Sequence, residues 1–340
     1  MILHLFPLIF WSTLITLILT PVGIRLALHY HFVDEPFSAP HKTHQNPMPK
    51  VGGIVIALVV AAMNLLSGSL FTPEVHAILL PCAIIVLFGL WDDMRGLAAH
   101  WKLAGQVLAT AILIWQGTYI HMFGQPVTNY AMTFLWVVGI TNAFNFVDSM
   151  DGLAIGLAAL ASAFFMLVTV DTAQVSLVYL SSILLGASVG MLYFNAMPAR
   201  TFLGDSGAQF LGFTLSALAI AYTPPGRPQP SSWFVPILLL SVPIFDATLV
   251  VISRLRRKVP IYQAGQDHTY HRLVHLGMHP SRAVITMHLA SILTACLAFM
   301  ALELPPLGAN AIFALVVLCG LVALVWLEQK DTALQENSDL

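Results

Sequence analysis

Long apolar runs recur from one end of this chain to the other, and they constrain its fold more than any other feature. A stretch of about 17–25 mainly apolar residues is long enough to cross the hydrocarbon core of a bilayer as a helix. The 340-residue chain is 58% hydrophobic and 9% charged, whereas globular proteins average about 25% charged residues. We therefore predict an all-α, polytopic integral membrane protein.

The apolar runs are numerous enough to form one continuous helical domain over residues 1–327. Eleven of them are candidate transmembrane helices, at 2–20, 51–70, 76–91, 103–121, 131–144, 153–170, 175–195, 207–223, 232–252, 283–302 and 308–327. The fifth run is short, and the count is ten if that run is re-entrant. Residues 328–340 form a short acidic tail, and we expect its last ten residues, DTALQENSDL at 331–340, to be disordered.

The distribution of Lys and Arg predicts the orientation. If the spans alternate, 13 of the 14 Lys and Arg residues fall on one side, and Arg227 alone falls on the other. Membrane proteins keep such residues in the cytoplasm, so we expect an outside N-terminus and a cytoplasmic C-terminus. The cytoplasmic loops are then 21–50, 92–102, 142–152, 196–206 and 253–282.

One segment, NAFNFVDSMDG at 142–152, carries polar groups among the apolar runs. Asn142, Asn145, Asp148 and Asp151 would be costly at membrane depth unless they meet water, a partner or a ligand. The predicted topology places this segment at the same cytoplasmic face as Asp92-Asp93, Asp205 and the histidine-bearing loop 267–275. Acids scattered at random would lie on both faces, so this convergence predicts one site.

The residue types at this face favour a metal-bound pyrophosphate. Asp205 lies between Gly204 and Gly207 at the start of a predicted helix, where backbone N–H groups favour an anion. Carboxylate and amide oxygens are hard ligands suited to Mg²⁺, which commonly shares its coordination shell with substrate phosphates. No basic tract with interleaved aromatic residues indicates nucleic-acid binding.

Basic residues at the same face add candidate phosphate contacts. Lys42 and Lys50 lie in the first cytoplasmic loop, although ordinary positive-inside charge explains either one alone. RLRRKVP at 254–260 is better explained as an orientation signal and a lipid-headgroup contact. A later set spaced by three and four residues would lie on one face of a helix, and we favour phosphate contact over zinc binding for it: His268, His271, Arg272 and His275.

Taken together, these motifs resemble the polyprenyl-phosphate N-acetylhexosamine-1-phosphate transferase family, of the glycosyltransferase family 4 type. The resemblance runs in order over most of the chain, through VDEP, HKTHQNPMPKVGG, WDDMRGL with Lys102 and Gln106, NAFNFVDSMDGLAIG, FLGDSG and DHTYHRL. Tyr270 stands where many members carry a histidine. This departure favours the bacterial undecaprenyl-phosphate GlcNAc-1-phosphate transferases over the muramoyl-pentapeptide phosphotransferases, which remain the alternative within the family.

The resemblance implies roles for individual residues. Asp205 and Asn145 would bind Mg²⁺, with Mn²⁺ as an alternative ion. Asp92 and Asp93 match an acidic pair that acts as base or nucleophile, and His268 and His271 match a histidine motif that contacts phosphate or sugar. The residues expected to bind substrate are Lys42, Lys50, Asn142, Asp148, Asp151 and Arg272.

The family's reaction moves a sugar-1-phosphate from a UDP-N-acetylhexosamine to undecaprenyl phosphate and releases UMP. The resemblance places it at the cytoplasmic face of a bacterial inner membrane, among membrane lipids, as the initiating step of a cell-envelope glycan such as O-antigen or teichoic acid. A homodimer is common in the family and stays an open expectation. The rival hypothesis is a cation-coupled transporter, which predicts acids near the bilayer midplane and two repeated halves.

Overall fold

The computed structural model describes residues 2–36, 46–224, 229–261 and 265–338. The described chain is helical, apart from one short antiparallel pair, β1 (Val33–Asp34) and β2 (Met48–Pro49), in which Asp34 faces Met48. Packing divides the chain into two compact units, Met1–Pro225 and Gly226–Leu340. The single domain over 1–327 stays a prediction, and the two units are described separately below.

The first unit contains eight helices and a 3₁₀ turn at Ser69–Phe71 in its described part. The helices are α1 (Ile2–His29), α2 (Gly52–Leu66), α3 (Pro73–Arg95), α4 (Ala99–Trp115), α5 (Pro126–Val147), α6 (Leu153–Asp171), α7 (Val175–Asn195) and α8 (Gly204–Ala221). Each corresponds to one of the first eight predicted spans. The fifth span, short in sequence, is a continuous helix of 22 residues.

Helix α8 lies at the centre of the first unit. Every residue from 206 to 219 is buried, and the helix packs against α2, α3, α5 and α6. A helix that is apolar all round is stable only when neighbours surround it, which explains the FLGFTLSALA sequence. Asp205 therefore stands at the N-terminal tip of the most enclosed helix of this unit.

Glycines bring the neighbouring helices unusually close to that tip. A Cβ built on Gly53 of α2 would lie 2.2 Å from the Gly207 nitrogen, and one built on Gly89 of α3 would lie 2.4 Å from the Ser206 Cα. Real Cβ atoms do not tolerate such distances, so only glycine permits this approach. The two glycines thus fix where the start of α8 lies.

The second unit contains six helices in its described part: α9 (Gln229–Ser232), α10 (Val235–Leu239), α11 (Ser241–Arg256), α12 (Thr269–His275), α13 (Pro280–Ala301) and α14 (Pro306–Ser338). The ninth predicted span, 232–252, is therefore not one continuous helix. Pro236 and Pro243 each lie within the first three residues of the second and third pieces, where a missing N–H is tolerated.

Helix α14 corrects the expectation for the C-terminus. It continues past the last apolar run to Ser338, so residues 331–338 of the segment expected to be disordered are helical. Glu328, the first residue of the acidic tail, is buried and pairs with arginines of α11 and α12.

Length and hydropathy identify seven of the described helices as able to cross a membrane, namely α1, α3, α5, α6, α7, α13 and α14, and α2 is a shorter apolar helix. The chain is a multi-pass membrane protein. The total of eleven spans and the orientation stay predictions.

Candidate active site

The first unit brings together acids of two separate motifs around one lysine. Asp92 lies near the end of α3, Lys102 in the first turn of α4, and Asp205 at the start of α8. The Lys102 Nζ contacts Asp92 Oδ2 and lies 2.9 Å from Asp205 Oδ1. The backbone N–H of Leu97 donates to the other oxygen of Asp92 at 2.5 Å. Lys102 therefore neutralises part of the charge of two carboxylates that sequence separates by more than a hundred residues.

Asp93 has a different environment from its neighbour Asp92. One oxygen of Asp93 accepts from the Asp205 nitrogen at 2.9 Å, and the other accepts from the Ser206 nitrogen at 3.0 Å and the Ser206 hydroxyl at 2.8 Å. The carboxylate is buried and caps the N-terminus of α8 from another helix. Of the acidic pair, Asp93 thus bonds to the backbone of Asp205, the residue predicted to bind metal, and Asp92 pairs with Lys102.

The polar segment at 142–152 contributes Asp148, and the metal contact expected of Asn145 stays a prediction. Helix α5 runs through Asn142 and Asn145 to Val147, and the chain turns at Asp148. Burial raises the pKa of Asp148 well above its usual range, and the nearby carboxylates of Asp205, Asp93 and Asp151 raise it further. Asp148 therefore lies within electrostatic reach of the acids described above.

Asp151 holds the loop that leads to α8. Its Oδ2 accepts from the Ala199 nitrogen at 2.9 Å. Asn195 links the same two segments, because its side chain accepts from the Gly152 nitrogen at 3.1 Å and donates to the Thr201 carbonyl at 3.0 Å. These contacts position the chain that approaches Asp205, and the substrate contact expected of Asp151 stays a prediction.

Asn142 belongs to a cluster of amide side chains beneath the acids. Its Nδ2 donates to Gln106 Oε1 at 2.8 Å, and Gln106 Nε2 donates to Gln209 Oε1 at 3.1 Å. Gln106 and Gln209 are 1% and 2% exposed. The cluster ties α4, α5 and α8 together, and no role was predicted for its two glutamines. Their signal was a polar side chain within an otherwise apolar run.

Of the two lysines in the loop 21–50, the structure describes the contacts of only one. Lys50 follows β2, and its Nζ lies 3.1 Å from Asp34 Oδ1, so an acid already partners it. Lys42 lies outside the described residues. Substrate binding by either lysine stays a prediction.

The second unit positions the predicted histidines at α12. His268 is the residue before the helix, and its Nδ1 lies 2.9 Å from Asp246 Oδ2 of α11. Burial, followed by His268 and His275, lowers the pKa of His271 to about 4, although Asp246 and Asp267 act in the opposite sense. His271 is therefore neutral at pH 7 when no phosphate is bound.

Arg272 is held inside the second unit. It is 2% exposed, and its Nη2 lies 2.6 Å from Glu328 Oε1 and donates to Ser253 Oγ at 2.8 Å. Its Nε and Nη1 donate to the carbonyls of Asp267 and Leu327. These contacts hold α12 against α11 and α14, and the substrate contact expected of Arg272 stays a prediction that they do not support.

Three arginines of the basic run RLRRK form ion pairs within the protein. Arg254 and Arg257 both pair with Asp267, and Arg256 pairs with Glu328 at 2.6 Å. Burial acts to raise the pKa of Asp267, but its bonds to the two arginines outweigh burial and lower it. Since Arg254 is only 3% exposed, its main contacts are with protein and not with lipid headgroups.

Within the described residues, no group of three or more His, Cys, Asp or Glu side chains is arranged to hold a metal ion unaided. A structural site enclosed by protein ligands is therefore not present in that part of the chain. The Mg²⁺ site expected at Asp205 and Asn145 stays a prediction.

Comparison with known proteins connects this geometry to a family. The sequence model of glycosyl transferase family 4 matches residues 75–223. This range contains Asp92, Asp93, Lys102, Asp148 and Asp205. The chain is 33% identical to a probable undecaprenyl-phosphate N-acetylglucosaminyl 1-phosphate transferase of Bacillus subtilis. The 290 aligned residues cover 82% of this chain and 79% of the relative.

Two further relatives extend the comparison. A decaprenyl-phosphate N-acetylglucosaminephosphotransferase of Mycobacterium tuberculosis is 28% identical over 79% of this chain and 78% of its own length. A phospho-N-acetylmuramoyl-pentapeptide-transferase of Halalkalibacterium halodurans is 28% identical over 84% of this chain and 94% of its own length. The chain therefore belongs to glycosyl transferase family 4, as a phosphotransferase of the polyprenyl-phosphate sugar-1-phosphate transferase type.

Proposed function

We propose that this enzyme transfers N-acetylglucosamine-1-phosphate, or a related N-acetylhexosamine-1-phosphate, from a UDP-sugar to undecaprenyl phosphate and releases UMP. The reaction takes place at the cytoplasmic face of the bacterial inner membrane and begins a cell-envelope glycan. The observation that carries the proposal is the Lys102 bridge between Asp92 and Asp205 at the tip of α8. Two of the relatives described above are named for GlcNAc transfer, which supports this sugar.

The donor set at this tip fits Mg²⁺. Asp205 retains 30% of its side-chain surface, and Asn145 on α5 is partly exposed, so both oxygens can meet an ion. Asp148 faces several other carboxylates, and a divalent cation would relieve that repulsion. Asp205 and Asn145 would hold the ion, which would neutralise charge on the two phosphates of the UDP-sugar.

The contacts of the acidic pair favour direct transfer over a covalent intermediate. In direct transfer, an oxygen of the lipid phosphate forms the new bond to the sugar-bearing phosphorus, and the bond from that phosphorus to the UMP oxygen breaks. Asp93 is a poor nucleophile because both of its oxygens accept hydrogen bonds from α8. Asp92, held by Lys102 and Leu97, would position the acceptor phosphate or accept its proton.

Release of UMP by the purified protein in detergent tests the proposal. We expect release that requires UDP-GlcNAc, undecaprenyl phosphate and Mg²⁺ together, and that falls at least about 100-fold in Asp205→Asn, since a lost charge-stabilising ligand costs on this order. The matched control is Glu74→Gln, which removes an exposed acid at the opposite end of α3 from Asp92. We expect the control to retain full activity.

Two other results would change the conclusion. Release with UDP-N-acetylmuramoyl-pentapeptide but not with UDP-GlcNAc would assign the enzyme to the other branch of the family. A ³²P-labelled protein formed from a β-phosphate-labelled UDP-sugar without lipid acceptor would replace direct transfer with a two-step route.

A further inference from the structure

A buried aspartate of α11 lies against the histidine that sequence assigned to catalysis. Asp246 is fully buried, and one of its oxygens accepts from the Thr269 nitrogen at 2.6 Å. Its other oxygen lies 2.9 Å from His268 Nδ1. A carboxylate can only accept a hydrogen bond, so Nδ1 of His268 carries the hydrogen between them.

Burying the carboxylate of Asp246 in α11 has a cost in stability. It stands in the apolar sequence VPIFDATLVVI, where a buried charge costs several kcal/mol unless it is paired and hydrogen-bonded. The start of α12 is already attached to α11 by the pairs of Asp267 with Arg254 and Arg257. Asp246 adds an acceptor for the first backbone N–H of α12 and, beyond that attachment, a hydrogen bond that orients the imidazole ring.

We propose that Asp246 is a positioning residue for His268, which fixes Nδ1–H and makes Nε2 the nitrogen that meets substrate. This inference rests on the proposed function, in which His268 contacts phosphate or sugar. The two ring nitrogens lie on opposite sides of the imidazole, so a carboxylate on Nδ1 directs Nε2 away from α11. The second bond, to the Thr269 nitrogen, prevents the carboxylate from rotating away from the ring.

This arrangement leaves Nε2 able either to accept a proton or to donate one while Nδ1–H stays on Asp246. In Asp246→Asn the amide oxygen still accepts from the Thr269 nitrogen, but the amide N–H groups then face Nδ1. Nδ1 must accept, the ring hydrogen moves to Nε2, and Nε2 loses the ability to accept. The helix start is retained and the tautomer is reversed.

A double-mutant comparison separates positioning from a purely structural role. We expect kcat for UMP release to fall about 10- to 100-fold in Asp246→Asn, the usual size for loss of a residue that orients a reactive histidine. Combining it with His268→Gln should slow the enzyme no further than His268→Gln alone. Effects that multiply in the double variant would overturn the proposal.

The matched control is Ser241→Ala on the same helix. Ser241 shares a hydrogen bond of 2.7 Å with Thr294 and is not itself assigned to the reaction. We expect its kcat to equal that of the wild type, whatever its change in melting temperature. A comparable loss of kcat in this variant would show that any weakened contact of α11 lowers activity, and would also overturn the proposal.

A readout that needs no substrate keeps the inference independent of the reaction. ¹⁵N-histidine spectra of the full chain in detergent, with the His268 signals assigned by their loss in His268→Gln, report which ring nitrogen is protonated. We expect a protonated Nδ1 in the wild type and an Nε2–H tautomer in Asp246→Asn. A wild-type His268 without hydrogen on Nδ1 would overturn the inference even if the variant failed to fold. The expected spectrum without UMP release from any UDP-sugar would overturn the proposed function and leave the Asp246–His268 bond established.

Discussion

Adjacent residues of one motif can have separate tasks, as Asp92 and Asp93 demonstrate. Sequence presents them as an equivalent pair, because both follow the apolar run of α3. The structure gives Asp92 a lysine and gives Asp93 the N–H groups of Asp205 and Ser206 at the start of α8. Periodicity places both residues near the end of a helix but contains no information about which distant segment each carboxylate meets.

This division predicts different effects of the two substitutions to alanine. Asp93→Ala should lower the stability of the protein by about 1–3 kcal/mol, because it leaves buried N–H groups of α8 without an acceptor. Asp92→Ala should lose UMP release with a smaller change in stability. Melting temperature in detergent, measured beside activity, checks both. Equal melting temperatures for the two variants would contradict the division.

Some polar residues in each unit were recognisable from the sequence as functional candidates, but their roles were not. Asp246 and Gln209 are polar residues within apolar runs, a pattern that marks functional candidates in membrane proteins. Their partners, His268 and Gln106, are 22 and 103 residues away. Single-sequence reasoning has no means of pairing residues over such separations.

At the scale of elements, the sequence predicts helices well and breaks in helices poorly. The first eight predicted spans each correspond to a helix because long apolar runs can satisfy their backbone only in that form. The ninth differs because Pro236 and Pro243 allow the run to divide into short pieces. The arginines of RLRRK suit an orientation signal equally well whether or not they pair with Asp267, so their contacts were not predictable.

The close approach of α3 to α8 leads to a prediction about Gly89. Gly89→Ala should displace the start of α8, since the new Cβ would lie 2.4 Å from the Ser206 Cα. We expect a loss of about 1–3 kcal/mol in stability, typical of overpacking, and a loss of UMP release because Asp205 moves with the helix.

Gly139→Ala provides the matched control for this prediction. Gly139 lies in the middle of α5, and a Cβ there would meet nothing within 4 Å. The control should match the wild type in activity and equal or slightly exceed it in stability, because alanine favours a helix. Wild-type activity and melting temperature in Gly89→Ala would show that α3 and α8 can separate without loss.

At the scale of the whole molecule, the orientation is the prediction that most needs measurement. If the spans alternate, thirteen of the fourteen Lys and Arg residues lie on one side of the membrane. This distribution predicts that the acidic cluster faces the cytoplasm. An alkaline phosphatase fusion after Gln125 should be active, because that loop is predicted to lie outside. A fusion after Arg200 should be inactive, and a green fluorescent protein at the C-terminus should fluoresce. Activity of both phosphatase fusions would contradict the predicted alternation.

The attachment of α12 also bears on the order in which the enzyme is made. Arg272 on the histidine-bearing helix and Arg256 on α11 both pair with Glu328, which lies 123 residues after Asp205 in the sequence. Chains fold progressively as they leave the ribosome, so the acidic cluster of the first unit can assemble while much of the second is still untranslated. The histidine helix acquires its contact with Glu328 only after residue 328 has been translated, and a premature stop shortly before codon 328 would leave that helix without it.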